Sequence, residues 1–254
     1  MKKEYNILVT NDDGIAAPGI KALTEVMQEI GNITIVAPDS PQSGMGHAIT
    51  INSTLELRHH PDFLHTDSAY SCSGTPVDCV KMAVHEIMKT RPDICVSGIN
   101  HGSNSSINVI YSGTMSAAVE AGIEGIPSIG FSLCDYNWDA NFEIIKPYVK
   151  KIATEVLLNG LPEGVILNVN FPKTEAIKGI KICRQAKAFW EEEFDKRINP
   201  MGKEYYWLTG KFVNHDKGED TDEWALANGY ISIVPIQFDL TAYHAIQHLN
   251  SWNL

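Results

Sequence analysis

No stretch of the 254 residues approaches the roughly 18 consecutive apolar residues that a membrane helix needs. The N-terminus reads Met1-Lys2-Lys3-Glu4-Tyr5-Asn6 and offers only Ile7-Leu8-Val9 before polar residues return, too short a run for a signal-peptide core. A C-x-x-C pair is also missing: the five cysteines (Cys72, Cys79, Cys95, Cys134, Cys183) are odd in number and irregular in spacing, which fits a reduced, cytoplasmic chain. Cys95 lies in an apolar run and reads as a small core residue. Repeats and low-complexity segments are absent. Positive charge is scarce, with 20 Lys and Arg against 31 Asp and Glu and a net charge of −11. A body of that charge repels phosphate, so gripping a long nucleic acid through bulk charge is excluded. A composition 44% hydrophobic and 20% charged excludes disorder.

What is present is alternation. Tyr5 to Thr10, Asn32 to Ala37, Asp93 to Ser97 and Ser128 to Ser132 read as short buried strands. Between them, Pro18 to Ile30, Pro76 to Lys89 and Ser112 to Gly122 read as helices, and the region from Ala48 to Cys72 as a hairpin. Such alternation predicts an α/β fold, a Rossmann-like, doubly wound and mostly parallel sheet. A helix over Asn141 to Asn159 and a strand at Val165 to Val169 continue it. Residues 177–214 then change character: Ile177 to Asn214 is rich in Trp, Tyr and charge, with Asn199-Pro200-Met201-Gly202 as a turn between two strands. Glu191-Glu192-Glu193 reads there as a solvated face. We expect a single domain over residues 1–254 with 177–214 as an extended hairpin excursion whose exposed strand edges suit pairing with another subunit. Thr221 to Asn228, Gly229 to Pro235 and Leu240 to Leu249 close the chain as helix, strand and helix.

In open parallel sheets ligands bind beyond the carboxyl ends of the strands, so the residues following each strand are the informative ones. They are Asn11-Asp12-Asp13-Gly14, Pro38-Asp39-Ser40-Pro41-Gln42-Ser43-Gly44, and Gly98-Ile99-Asn100-His101-Gly102-Ser103-Asn104. To these Tyr111-Ser112-Gly113-Thr114 adds a helix start, whose free backbone N–H groups favour an anion. Adjacent carboxylates at a sheet mouth repel each other and lose solvent, and a divalent cation compensates most simply. Asp12 and Asp13 supply charged oxygens, and Ser43 and Asn100 could add neutral ones. An all-oxygen set selects Mg²⁺, Mn²⁺ or Ca²⁺ over zinc. Taken alone, Asp12-Asp13-Gly14 reads equally well as a turn with a helix cap.

Lys and Arg are missing from Pro92 to Ile145, from Val36 to Leu57, and from the first loop until Lys21. A phosphate ligand would therefore depend on the metal, on the helix start at Ser112, Gly113 and Thr114, and on neutral donors such as Asn104. Asp12 and Asp13 are the expected catalytic residues, one of them orienting or deprotonating water. His101 reads as a solvent-exposed loop histidine in preference to a general acid. His244 and His248 share a helix face but have no acidic or cysteine partner nearby in sequence for a zinc site.

These loops, in this order, resemble the SurE family of survival proteins from Ile7 to about Leu249. The resemblance is carried by Val9-Thr10-Asn11-Asp12-Asp13-Gly14, Ala17-Pro18-Gly19-Ile20, Val36-Ala37-Pro38-Asp39 with Ser43-Gly44, Gly74-Thr75-Pro76-Val77-Asp78, Ser97-Gly98-Ile99-Asn100, Tyr111-Ser112-Gly113-Thr114, Thr221-Asp222 and Gly229 to Pro235. It implies one divalent metal ion per subunit, Mg²⁺ or Mn²⁺, on Asp12, Asp13, Ser43 and Asn100, and a phosphate site at Asn104, Ser112, Gly113 and Thr114. The implied activity is hydrolysis of 5′- and 3′-nucleoside monophosphates, with short polyphosphate as a further substrate. The implied assembly is a homodimer or homotetramer formed by exchange of C-terminal elements. His47 and His101 stand at variable positions of the motifs. Three rivals are weaker: a haloacid-dehalogenase-like phosphatase needs D-x-D after the first strand, a dehydrogenase needs G-x-G-x-x-G, and a non-catalytic nucleotide- or metal-binding regulator on the same fold is separated by measuring turnover.

Overall fold

The computed structural model describes residues 5–66 and 68–253; Met1 to Glu4, where the N-terminal reading began, lie outside them. The first half runs β1 (Tyr5–Thr10), α1 (Pro18–Gln28), β2 (Gly31–Pro38), β3 (Leu57–His59), β4 (Ala69–Cys72), α2 (Pro76–Met82), β5 (Ile94–His101), α3 (Asn108–Tyr111), α4 (Gly113–Ile123) and β6 (Ser128–Leu133). The second half runs α5 (Lys146–Asn159), β7 (Val165–Phe171), β8 (Ile180–Ile182), β9 (Ala188–Glu191), β10 (Phe194–Ile198), β11 (Glu204–Leu208), β12 (Lys211–Asn214), α6 (Asp222–Ala227), β13 (Ile231–Gln237) and α7 (Tyr243–Leu249).

Nine strands form one sheet in the order β3-β4-β2-β1-β5-β6-β7-β13-β8. From β4 to β7 every pairing is parallel, while β3 and β13 run antiparallel to their inner neighbours. Side chains alternate across the strands: Ile7, Val9, Ile94 and Val96 join the core under α1 and α5, whereas Leu8 and Cys95 join the core under α2 and α4. That period-two split covers both faces and makes the fold doubly wound. Burying each such aliphatic side chain contributes about 1.5–3 kcal/mol.

Local chemistry sets the element ends. Pro18 opens α1 at its first turn. Thr75 and Asp78 form a capping box at α2, which continues through a π-helical turn over Ala83–Ile87. α5 begins at Lys146, five residues later than the apolar periodicity predicts, with Pro147 in its first turn. The departure that bears most on the site is β5. It extends to His101, so Gly98 to His101 belong to the strand and not to the loop after it. A bulge between Ser97 and Asn100, with Gly98 at φ +125°, re-aims the chain there.

Residues 177–214 divide. β8 stays on the edge of the large sheet beside β13, while β9–β12 and β10–β11 form two separate antiparallel ribbons. The turn at Asn199 to Gly202 joins β10 to β11 and is closed by Gly202 N–H donating to Asn199 O at 2.9 Å. All five cysteines are free, and no helix among the described residues is long and apolar enough to cross a membrane.

Candidate active site

Four chain segments meet at the carboxyl edge of β1 and β5. Asn11 Nδ2 donates to Gly14 O at 2.9 Å, and Gly14 takes φ +93°, closing a tight turn after β1. The turn does not cap α1, whose N-cap is Ala17 without a side-chain bond. Capping therefore gives no account of the two aspartates inside the turn.

Asp12 is only 4% exposed. Its Oδ1 accepts from Thr114 Oγ1, and a Cβ placed on Gly113 would lie 2.6 Å from Asp12 Cβ and 2.9 Å from its Oδ2. The positive end of α4 is thus pressed against this carboxylate. Small residues make the approach possible: Ala117, Ala118 and Ala121 are fully buried along α4, and Gly122 faces Ile166 where a Cβ would stand 2.7 Å away. Asp12 O accepts from Gln42 N at 2.8 Å, which brings in the loop carrying Ser43. Ser43 itself is exposed. Burial first, and then the charge of Asp13, push the Asp12 carboxyl up to about 6 against the hydrogen bonds from Thr114. Burial also raises Asp13, opposed by the charge and the backbone N–H of His101. Asp13 Oδ2 is buried and has no hydrogen-bond partner among the described residues.

Asn100 donates from Nδ2 to Gly102 O at 2.9 Å, beside His101. His101 is a packed side chain and not the solvent-exposed loop histidine expected from sequence, because β5 carries it onto the sheet edge. Its Nδ1 donates to Asn137 O at 2.8 Å, and its ring stacks on Trp138 at 5.4 Å and meets the edge of Phe142 at 5.2 Å. Its Nε2 is buried and unpaired among the described residues.

The four residues expected at phosphate fall into different surroundings. Ser112 Oγ caps α4 by accepting from Met115 N at 3.0 Å, which leaves the hydroxyl hydrogen to donate elsewhere. Gly113 and the Thr114 hydroxyl are engaged with Asp12. Asn104 sits in a neighbouring buried network, its Nδ2 donating to Ser132 Oγ and its backbone N–H to Asn170 Oδ1, both at 2.8 Å. That loop is secured further along: Asp222 at the start of α6 accepts from Ser106 N at 2.7 Å and Ala186 N at 2.9 Å, and Glu223 accepts from Ser105 Oγ.

A second cluster behind the site was not read from sequence. Glu120 on α4 is buried and pairs with Lys81, and with His47 Nε2 at 2.8 Å. Burial works to raise this carboxyl, yet the hydrogen bonds from His47 and Lys81 hold it below the usual range. His47 lies four residues after Ser43. Asp78 fastens the same loop by accepting from Thr50 N at 3.1 Å and Thr50 Oγ1 at 2.6 Å, and Thr75 Oγ1 donates to Ala48 O at 2.7 Å. The only available signal was the capping-box pattern at Thr75 and Asp78.

Comparison with known proteins agrees with this architecture. The family described as Survival protein SurE matches residues 7–192. A 5′-nucleotidase SurE of Flavobacterium psychrophilum is 74% identical across 98% of this chain and 97% of its own, and one of Christiangramia forsetii is 67% identical across 100% and 98%. The crystal structure of the SurE protein from Aquifex aeolicus superimposes with a TM-score of 0.85 at 40% identity, covering 96% of this chain and 98% of that one. With most of its length matched by the family and its fold shared, the chain belongs to the SurE family of survival proteins.

Proposed function

We propose that this chain is a metal-dependent 5′-nucleotidase, releasing inorganic phosphate from nucleoside monophosphates. The observation that carries the reading is the Asp12–Asp13 pair: two desolvated carboxylates, one with an orphaned buried oxygen, against the positive end of a helix. These residues fit a hard divalent cation. Asp12 and Asp13 would be its charged ligands, with Ser43 Oγ and Asn100 Oδ1 as neutral oxygens and Mg²⁺ or Mn²⁺ the ions of choice. The chemistry such an ion supplies is charge neutralisation on the phosphoryl oxygens and a lower pKa for water.

The chain's own residues do the rest. Asp13 can accept a hydrogen bond from the attacking water and orient it in line with the leaving oxygen. The backbone N–H groups at Gly113 and Thr114, the Ser112 hydroxyl and Asn104 are the donors for phosphoryl oxygens, a role no Lys or Arg of the surrounding loops can fill. Phosphate release from AMP with Mn²⁺ or Mg²⁺, before and after exhaustive chelation, tests the reading. Turnover that survives chelation overturns the metal assignment, and tight AMP binding without turnover would favour the regulator. The same assay with 3′-AMP and short polyphosphate sets the breadth of the activity.

Free cysteines suit a reducing cytoplasm. For assembly we propose a homodimer or homotetramer in which the C-terminal elements contact a second copy, supported by the apolar side chains left exposed on β10, β11 and α7.

A further inference from the structure

The residues assigned above account for the phosphate end of a nucleotide and leave its base without a partner. Beside them lies a groove of about 600 Å³ lined by Asn108, Tyr111, Trp190, Glu193, Leu208 and Thr209, within the roughly 300–1,000 Å³ typical of small-molecule sites. Tyr111 ties it to the catalytic edge. Two peptide steps separate it from Gly113, so their Cα atoms are at most about 7.6 Å apart, and Gly113 abuts Asp12. Groove and phosphate site therefore lie within the span of one nucleotide.

Two aromatic residues, Trp190 and Tyr111, line this space. Trp190 is 39% exposed, yet its indole is fixed, with Nε1 donating to Asn108 Oδ1 at 2.8 Å and Phe212 tilted against it at 5.6 Å. Tyr111 is 54% exposed, and its backbone is fastened by Gly46 N–H donating to Tyr111 O at 3.2 Å. Exposed aromatic rings are stacking platforms, the Trp190 indole held in place by its own contacts, and every base presents a π-face to them. The polar groups at hand are Glu193 and the Thr209 hydroxyl. A carboxylate repels phosphate but accepts from the N–H groups on a base edge. The groove thus suits the uncharged end of the substrate.

We infer that this groove binds the nucleobase, with Trp190 and Tyr111 stacking on it and Glu193 reading its edge. The inference rests on the nucleotidase reading and adds to it the residues that select nucleotides over other phosphomonoesters. The test compares AMP with ribose 5-phosphate, which lacks a base. In Trp190→Ala the ratio of kcat/KM for AMP to that for ribose 5-phosphate falls about 5- to 100-fold, carried by KM, and Trp190→Phe restores it to within about twofold of the wild type. An unchanged ratio in Trp190→Ala, or an equal loss on both substrates, overturns the groove. Adenosine binding, measured calorimetrically on the same proteins, separates the two readings. If adenosine binds the wild type and not Trp190→Ala while no phosphomonoester is hydrolysed, the nucleotidase reading falls and the groove stands. If AMP is hydrolysed and adenosine binds both proteins equally, the groove falls and the nucleotidase reading stands.

Discussion

Asp12 combines features that are unfavourable separately: it is buried, its neighbour is another carboxylate, and its compensation comes from neutral donors on α4. A cation on this pair stabilises the folded chain by mass action, about 2.7 kcal/mol at a hundredfold excess over Kd. At about 2–4 °C per kcal/mol for a chain of this length, adding Mg²⁺ or Mn²⁺ should raise Tm by about 5–10 °C. Asp12→Asn should abolish that rise and lower kcat at least about 100-fold while far-UV circular dichroism stays native; a variant that keeps both the metal-induced shift and the turnover would refute the assignment. Gly113 gives a steric test at the same spot. Its φ is not left-handed, so Gly113→Ala introduces no backbone strain and acts only through a Cβ 2.6 Å from Asp12 Cβ. Displacing the carboxylate by a fraction of an ångström to an ångström should cost up to about 100-fold in kcat, read by steady-state kinetics alongside Tm.

At the scale of elements, the loop from Pro38 to Thr50 is fastened to α2 by Asp78 and Thr75 and to α4 by Glu120 through His47. Glu120 is the buried member of its cluster, while Lys81 and His47 reach solvent. Glu120→Gln therefore removes the charge that needs partners and should cost about 1–2 kcal/mol, whereas Lys81→Ala leaves a buried carboxylate with a single partner and should cost more. The pH dependence has a definite sign. The folded pKa of Glu120 lies below its ordinary 4.5, so its contribution is complete above that value and disappears as pH falls through the lower folded pKa. Thermal melts of wild type and Glu120→Gln should converge in acid, and a gap that widens there would contradict the argument. Beyond the capping box at Thr75 and Asp78, nothing in the sequence pointed to Glu120, because a glutamate in an alanine-rich helix reads the same whether it faces solvent or a neighbouring helix. The sheet was legible because short, buried β-branched runs alternate with helically spaced apolar ones, and the meeting of Asp12 with the start of α4 followed from the rule that loops converge at the carboxyl edge. His101 was misread because the strand was expected to end at Ser97, whereas the bulge at Gly98 lets it continue to His101. Trp190 was legible only as part of an aromatic-rich segment, since its hydrogen bond to Asn108 spans 82 positions of the chain.

Across the whole molecule, the net charge of −11 opposes association and the exposed apolar surface favours it. The register of β10 and β11 places Phe194 opposite Leu208, Lys196 opposite Tyr206 and Ile198 opposite Glu204, so one face of the ribbon presents Phe194, Leu208, Tyr206 and Ile198 together. All four are exposed, Phe194 at 67% and Leu208 at 72%. α7 buries none of its own residues and leaves Tyr243, Ile246 and Leu249 uncovered. A stable interface of about 1,600 Å² needs apolar surface at its centre, and each of these two elements leaves some uncovered. Light scattering on the eluting protein should therefore give the mass of a dimer or tetramer at micromolar concentration, and Ile198→Asp should lower it by replacing an exposed apolar side chain on the ribbon face with a charge. Salt dependence distinguishes the forces at work. Two copies of an acidic chain repel over a Debye length of about 8 Å at physiological salt and about 30 Å at 0.01 M, so an apolar interface should tighten as salt rises, whereas one held by ion pairs should loosen. A wild-type chain that remains monomeric at every salt concentration would mean that the ribbon and α7 face solvent in the native protein, and the proposed assembly would fall with them.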